Sequence, residues 1–166
     1  RINRIFEGTN EINRMLLVGM LLKRTMKGEL PLMDFAQAID EELTQRNLPR
    51  LRTGDELSAE ALTAELLKRM AVYATKVAIE TFGPEIEQHQ EVLAAVADVI
   101  MDAFALDSMI TRTRQAKVEG RLDPVRVAMV KLFALEAQPR SFERARRAIC
   151  ACVGGDDLQV HLEKLA

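Results

Sequence analysis

The chain has no tryptophan, one tyrosine and six phenylalanines, so aromatics make up 4% of its 166 residues. Its core must therefore be aliphatic, built from Leu, Ile, Val, Ala and Met, a palette that suits helix-on-helix packing better than a sheet. Only two cysteines are present, Cys150 and Cys152. That excludes a disulfide framework and points to a reducing compartment. Residues two apart on a helix do not share a face, so the two are a poor metal pair and read as small core or boundary residues. The apolar run Met15 to Leu22 lies between Arg14 and Lys23. It is well short of the ~20 residues that span a bilayer and reads as a buried helix. A charge excess is missing too: the formal net charge is -2, which argues against nucleic-acid backbone binding. No Ser-His-Asp, P-loop or Gly-rich dinucleotide pattern is present. His89 and His161 have no partner at metal-ligand spacing and read as surface residues. The chain opens on Arg1 with no signal-peptide pattern and enters a motif at once.

What is present is helical periodicity. Hydrophobic residues make up 48% of the chain, enough for a globular core. The first strong helix is expected over Asn10 to Met26, with Thr9 or Asn10 as cap, Glu11 in the first turn and Gly28 as its stop. Ile12, Leu16, Gly19, Leu22 and Met26 form one stripe, and Met15, Leu17 and Leu21 make other faces apolar as well. Such a helix asks to be buried nearly all round, more than this chain is expected to supply. Residues 28–57 read as a linker, punctuated by Pro31, Pro49 and Gly54. It holds one short amphipathic helix from Leu32 to Leu43, with Leu32, Phe35, Ala36 and Ile39 on its apolar side.

Three long helical stretches follow. Ser58 is expected to cap the first, with Leu62, Leu66, Met70, Tyr73 and Val77 on one face. Gly83-Pro84 is expected to end it and to begin a second helix running to about Glu119. Asp123-Pro124 opens the third as N-cap and first-turn Pro. Pro139 should break or kink that helix, with Ser141 recapping it and Asp156 capping a final short helix. Two basic clusters, Arg112, Arg114, Lys117 and Arg121, then Arg140, Arg144, Arg146 and Arg147, read as solvated faces. There is no strand-like alternation, internal repeat or low-complexity tract. The fold class is therefore all-α: an antiparallel bundle of three to four long helices with short end helices.

Periodicity alone stops at a helical bundle. The first residues go further: Arg4-Ile5-Phe6-Glu7-Gly8-Thr9-Asn10-Glu11-Ile12 resembles the catalytic-base signature of the acyl-CoA dehydrogenase family. The resemblance implies a role for each position. Glu7 matches the general base that removes the α-proton of a fatty acyl-CoA. Phe6 and Gly8 match positions lining the substrate, and Thr9, Asn10 and Glu11 match the stretch that contacts FAD. Asn13 departs from the Gln or Leu often found after the motif's Ile. About 140 residues follow the motif helix. This tail resembles the very-long-chain branch, which appends a second helical domain.

By that resemblance, residues 1–27 end the catalytic domain, 28–57 link, and 58–166 form the tail bundle. It also implies an FAD enzyme that oxidises acyl-CoA to trans-2-enoyl-CoA in β-oxidation. Electron-transfer flavoprotein is its acceptor, a homodimer its assembly, and peripheral membrane contact through residues 30–57 a further option. The acidic residues Asp34, Asp40, Glu41 and Glu42 weigh against that contact, and packing onto a catalytic domain is the stronger expectation. The implied location is bacterial cytoplasm or the mitochondrial matrix and inner-membrane face. With the family's other domains absent, the chain alone is expected to be inactive and to bind no FAD tightly. The alternative reading is a helical interaction module without catalysis.

Overall fold

The structure, a computed structural model, describes residues 2–4, 8–51 and 54–165. Phe6 and Glu7 lie outside the described residues. A short 3-10 turn (Ile2–Arg4) is followed by α1 (Asn10–Met26), α2 (Leu32–Thr44), α3 (Ser58–Phe82), α4 (Gln90–Val118), α5 (Pro124–Cys152) and α6 (Gly155–Leu165). Among the described residues there is no strand, and the expected all-α bundle is what forms.

The three long helices run antiparallel, and their register can be read from two apolar clusters. In one, Ala71 to Ala78 of α3 meets Val92 to Val99 of α4 and Ala145 to Ile149 of α5. In the other, Ala64 and Leu67 of α3 meet Ala103, Leu106 and Ile110 of α4, together with Val130, Ala134 and Ala137 of α5. Leu67 and Leu106 are fully buried, and each such side chain contributes about 1.5–3 kcal/mol through burial. α3 packs on α2, α4 and α5. Its buried residues accordingly include Ala64, Ala71, Ala74 and Ala78, not just the expected stripe. Of that stripe Tyr73 and Val77 are buried while Leu62, Leu66 and Met70 are half-buried. Small side chains on a helix shared by several neighbours let the backbones approach closely.

Several helix boundaries differ from expectation. Ser58 is the first residue of α3, not its cap. Its hydroxyl donates to the Asp55 carbonyl at 2.7 Å and accepts from the Asp55 N–H at 3.0 Å. Gly83-Pro84 opens a 3-10 turn (Gly83–Gln88), and α4 starts only at Gln90. α5 passes through Pro139 without a break. Leu135, the residue whose carbonyl loses its donor, is exposed, so water can replace the missing bond. Ser141 is not a cap: it is fully buried inside α5. Asp156 lies in the first turn of α6, which begins at Gly155.

Three helices end in the same way. After α1, Gly28 (φ 72°) donates to Thr25 and Glu29 donates to Arg24. After α4, Gly120 (φ 68°) donates to Lys117 and Arg121 to Ala116. This double bond from two residues past the helix is a Schellman closure, which needs a left-handed residue. α2 closes identically through Arg46 and Asn47, with Arg46 at φ 52° where glycine would be unstrained.

α2 also lies differently from the expected docking arrangement. Leu32 and Ala36 are buried, while Ile39 and Leu43 pack half-buried against the bundle of this same chain. Phe35, expected on the same apolar side, points outward with 61% of its surface exposed.

Candidate functional site at the start of α1

The described part of the motif sits where the chain enters α1. Gly8 has φ 96°, a conformation that side-chain-bearing residues rarely adopt. A Cβ placed there would also come within 2.9 Å of Asn13 Oδ1. Asn13 folds back over the turn, its Nδ2 donating to the Gly8 carbonyl at 3.1 Å. The residue that departs from the family's pattern thus braces the glycine. Thr9 is the N-cap, with extended backbone angles, and its Oγ1 accepts from the Ile12 N–H at 3.3 Å.

Glu11 is exposed in the first turn. Its carboxyl is held below the usual range by hydrogen bonds, first from its own backbone N–H and then from the Thr9 hydroxyl, with Arg14 adding a smaller pull. A carboxylate therefore already holds the anion-favouring helix start. The Thr9 hydroxyl and the half-buried Asn10 amide are neutral polar groups beside it. The donor set fits a neutral polar edge, such as a flavin ring offers, better than a second anion.

α1 carries few anchors for so apolar a helix. Val18 is its one buried residue, with Met15, Leu17 and Leu22 packed partly against the first apolar cluster, and α4 is the helix it lies along. Ile12, Leu16 and Met20 remain exposed at 60%, 56% and 47%, so the expected stripe through Ile12 and Leu16 faces outward. One polar tie is well formed: Arg14 Nε donates to Asp98 Oδ1 of α4 at 2.7 Å. Asp98 Oδ2 lies 3.4 Å from Arg144 of α5, whose Nη1 reaches Asp102 at 2.9 Å. Asp102, nearly buried between the two apolar clusters, also takes both arms of Arg140 at 2.7 and 2.8 Å and the Ser141 hydroxyl at 3.0 Å. This pairing, led by the hydrogen bond from Arg140 to Asp102, raises the Arg140 pKa.

The basic clusters are therefore largely paired rather than simply solvated. Arg114 forks onto Asp55, whose carboxyl falls to about 2, chiefly through that hydrogen bond. Lys117 meets Glu56, and Arg146 and Arg147 share Glu143. Neither histidine is a free surface residue. His161 Nδ1 lies 2.7 Å from the Tyr73 hydroxyl, and His89 stacks on Phe82 with ring centroids 3.5 Å apart. Cys150 is exposed, whereas Cys152 is half-buried, its thiol pushed up to about 11 by burial. The partners of Arg114, Lys117 and His161 lie far away in sequence, where local spacing carries no signal, whereas Glu143 is within one helical turn of Arg146 and Arg147.

A cleft of about 430 Å³ opens between α2, α3, α5 and α6, walled by Leu43, Met70, Tyr73, Phe142 and Leu165. The cations at its rim are already engaged, Arg69 with Glu42 and Lys164 with Asp40. None of the described motif residues lines it. Among the described residues no cluster of His, Cys, Asp and Glu suits a metal ion, and no helix is long and apolar enough to cross a membrane.

A braced, capped helix laid against an aliphatic three-helix bundle places the chain in the all-α class. Residues 66–166 match the family model of the acyl-CoA dehydrogenase C-terminal domain, and the chain belongs to that family. It is 35% identical over 167 residues to a probable acyl-CoA dehydrogenase of Bacillus subtilis (strain 168), covering 99% of this chain and 28% of that protein. Its fold matches the crystal structure of an acyl-CoA dehydrogenase complexed with FAD from Bacillus anthracis, with a TM-score of 0.90 and 34% identity. That likeness again covers 99% of this chain and 28% of the other. The chain thus spans well under a third of the length of these relatives.

Proposed function

We propose that this chain is the C-terminal part of an FAD-dependent acyl-CoA dehydrogenase that oxidises a fatty acyl-CoA to the trans-2-enoyl-CoA, with Glu7 as the base. The observation that carries the reading is the turn into α1. Gly8 stands at positive φ directly after Glu7 in sequence and before a Thr9-capped helix, a turn that supports a specific need for glycine at that position of the motif. Glu7 would take the α-proton. That proton is weakly acidic, so a competent base needs a carboxyl raised by a water-poor cavity. Gly8 would leave room for the acyl chain beside the base, and Phe6 would supply an apolar wall. Thr9, Asn10 and Glu11 would meet the polar edge of the flavin, which, when bound, accepts the β-hydride.

The rest of the cofactor and CoA sites would come from the preceding domains, so this chain by itself would be inactive and hold no FAD tightly. Residues 1–27 would close the catalytic domain, 28–57 link, and 58–166 form the tail bundle. The exposed Ile12, Leu16 and Met20 support this reading, since they offer an apolar face of the kind a catalytic domain covers. Membership of the very-long-chain branch belongs to the same reading and rests on the resemblance of the tail alone. Electron-transfer flavoprotein as acceptor, a homodimer, and a bacterial cytoplasmic or mitochondrial matrix setting belong to the same reading. The outward face of α5, with Val125, Met129, Leu132 and Leu135 exposed, favours an additional interaction role for the tail.

The test is anaerobic titration of the full-length flavoprotein with acyl-CoAs of increasing chain length. Bleaching of the oxidised flavin band, strongest with long chains, is the expected result. A flavin that no acyl-CoA reduces would contradict the proposal.

A further inference from the structure

Resting on the function proposed above, we infer that Asp98, on the tail bundle and not in the motif, is a positioning residue for the reaction, acting through Arg14 to set the rotation and height of the motif helix. The need for such a group follows from the packing of α1. Its apolar side chains point in several directions, and Val18 alone is buried. Met15, Leu17 and Leu22 add partial cover around Val18, but hydrophobic contact is non-directional, so on a helix apolar on several faces it sets rotation less sharply than a directional hydrogen bond does. Arg14 lies one turn before Val18 on the same face. Among the described residues, its bond to Asp98 at 2.7 Å is the one side-chain hydrogen bond from α1 to the bundle. Both side chains are mostly covered, at 26% and 16% exposed.

The height is also fixed from behind. Asp98 sits one turn before Asp102 on α4, and Arg144 bridges the two, at 3.4 Å from Asp98 and 2.9 Å from Asp102. Arg140 and Ser141 in turn clamp Asp102. The acceptor that Arg14 meets is thus held by α5 as well as α4. Arg14 is four residues past Asn10, about 6 Å along the helix. A slip at Arg14 would carry straight to Gly8 and the base beside it, and a displacement of about 1 Å at reacting groups costs roughly a hundredfold in rate.

The test uses the full-length FAD-loaded enzyme. Asp98→Asn, near-isosteric but uncharged, should lower kcat about tenfold with KM changed by less than about twofold. The kcat loss should persist at temperatures well below the Tm of each variant, where all are folded, so that lost stability does not account for it. Asp98→Glu should recover most of kcat. Arg14→Gln should reproduce the loss, and the double variant should be no slower than the slower single. Arg69→Gln, which breaks a comparable pair with Glu42 and Glu65 away from α1, should leave kcat unchanged. Wild-type kcat in Asp98→Asn, alongside an inactive Glu7→Gln, would overturn the inference while leaving the proposed function standing. Losses that multiply in the double variant would overturn it as well. A wild-type flavin that acyl-CoA does not reduce would remove both.

Discussion

α1 and the α3–α4–α5 bundle are built from the same kinds of residue, yet they are buried in opposite ways. Leu67 of α3 is fully covered, whereas Leu16 of α1 is 56% exposed. The bundle closes on itself, its three helices sharing two continuous apolar clusters. α1 touches that bundle along one side and turns Ile12, Leu16 and Met20 outward. The difference teaches that hydrophobic content dictates how much cover a helix needs, while the number of neighbours dictates how much it gets. Within this chain the bundle encloses a core of its own, whereas α1 has one buried residue and takes its cover from that bundle.

That contrast can be broken by paired truncations, and the largest effect should come from the bundle. Leu67→Ala removes a fully buried side chain from the seam of three helices and should cost about 2–5 kcal/mol in urea melts of this chain. A cost below about 1 kcal/mol would mean the bundle is looser than its contacts imply.

The junction between linker and bundle should respond less, and to pH. Asp55 binds Arg114 and the Leu57 N–H, and its carboxyl titrates at about 2 instead of 3.8. A lowered folded-state pKa contributes stability above the unfolded value, and that stability is lost as pH falls from 3.8 towards about 2. With solvent screening, its share is about 1 kcal/mol. Asp55→Asn should therefore lower Tm at neutral pH and flatten its fall across that acid window. A parallel downward shift at all pH values would contradict the assignment.

Smaller still, and of opposite sign, is the linker's own turn. Arg46→Gly relieves a left-handed arginine at the α2 closure and should stabilise the chain by about 0.5–1 kcal/mol, read as a rise in Tm. The smallest effect should be Leu16→Ala, within about 0.5 kcal/mol in this chain. The same change should weaken FAD retention and thermal stability in the full-length enzyme, where a catalytic domain would cover that face. A neutral result in both settings would break the comparison.

Much of this was legible in advance. Thr9 and Gly28 bound α1 as capping chemistry requires, and Asp123-Pro124 opens α5 as written. Pro139 does not end α5 because a proline's cost depends on the surroundings of the orphaned carbonyl, and Leu135 is exposed to solvent. Leu-rich stripes were easy to see, but the alanines at 64, 71, 74 and 78 were not, since a small residue carries no signal until a second helix lies against it. The Asp98–Arg144–Asp102–Arg140 chain joins residues about forty positions apart, and spacing within one helix says nothing of such pairs. Of the site, Thr9 caps α1 as expected and Gly8 stands at positive φ, while the roles of both toward substrate and flavin, and those of Phe6 and Glu7, which lie outside the described residues, rest on the resemblance.

The central claim is that Glu7 is the base of an acyl-CoA dehydrogenase. Its most direct test is Glu7→Gln in the full-length flavoprotein, assayed for acyl-CoA oxidation with an artificial electron acceptor. The expected result is a loss of at least about a hundredfold in kcat with FAD bound at wild-type stoichiometry. Wild-type turnover in that variant would contradict it and would leave the helical tail to be explained as an interaction module.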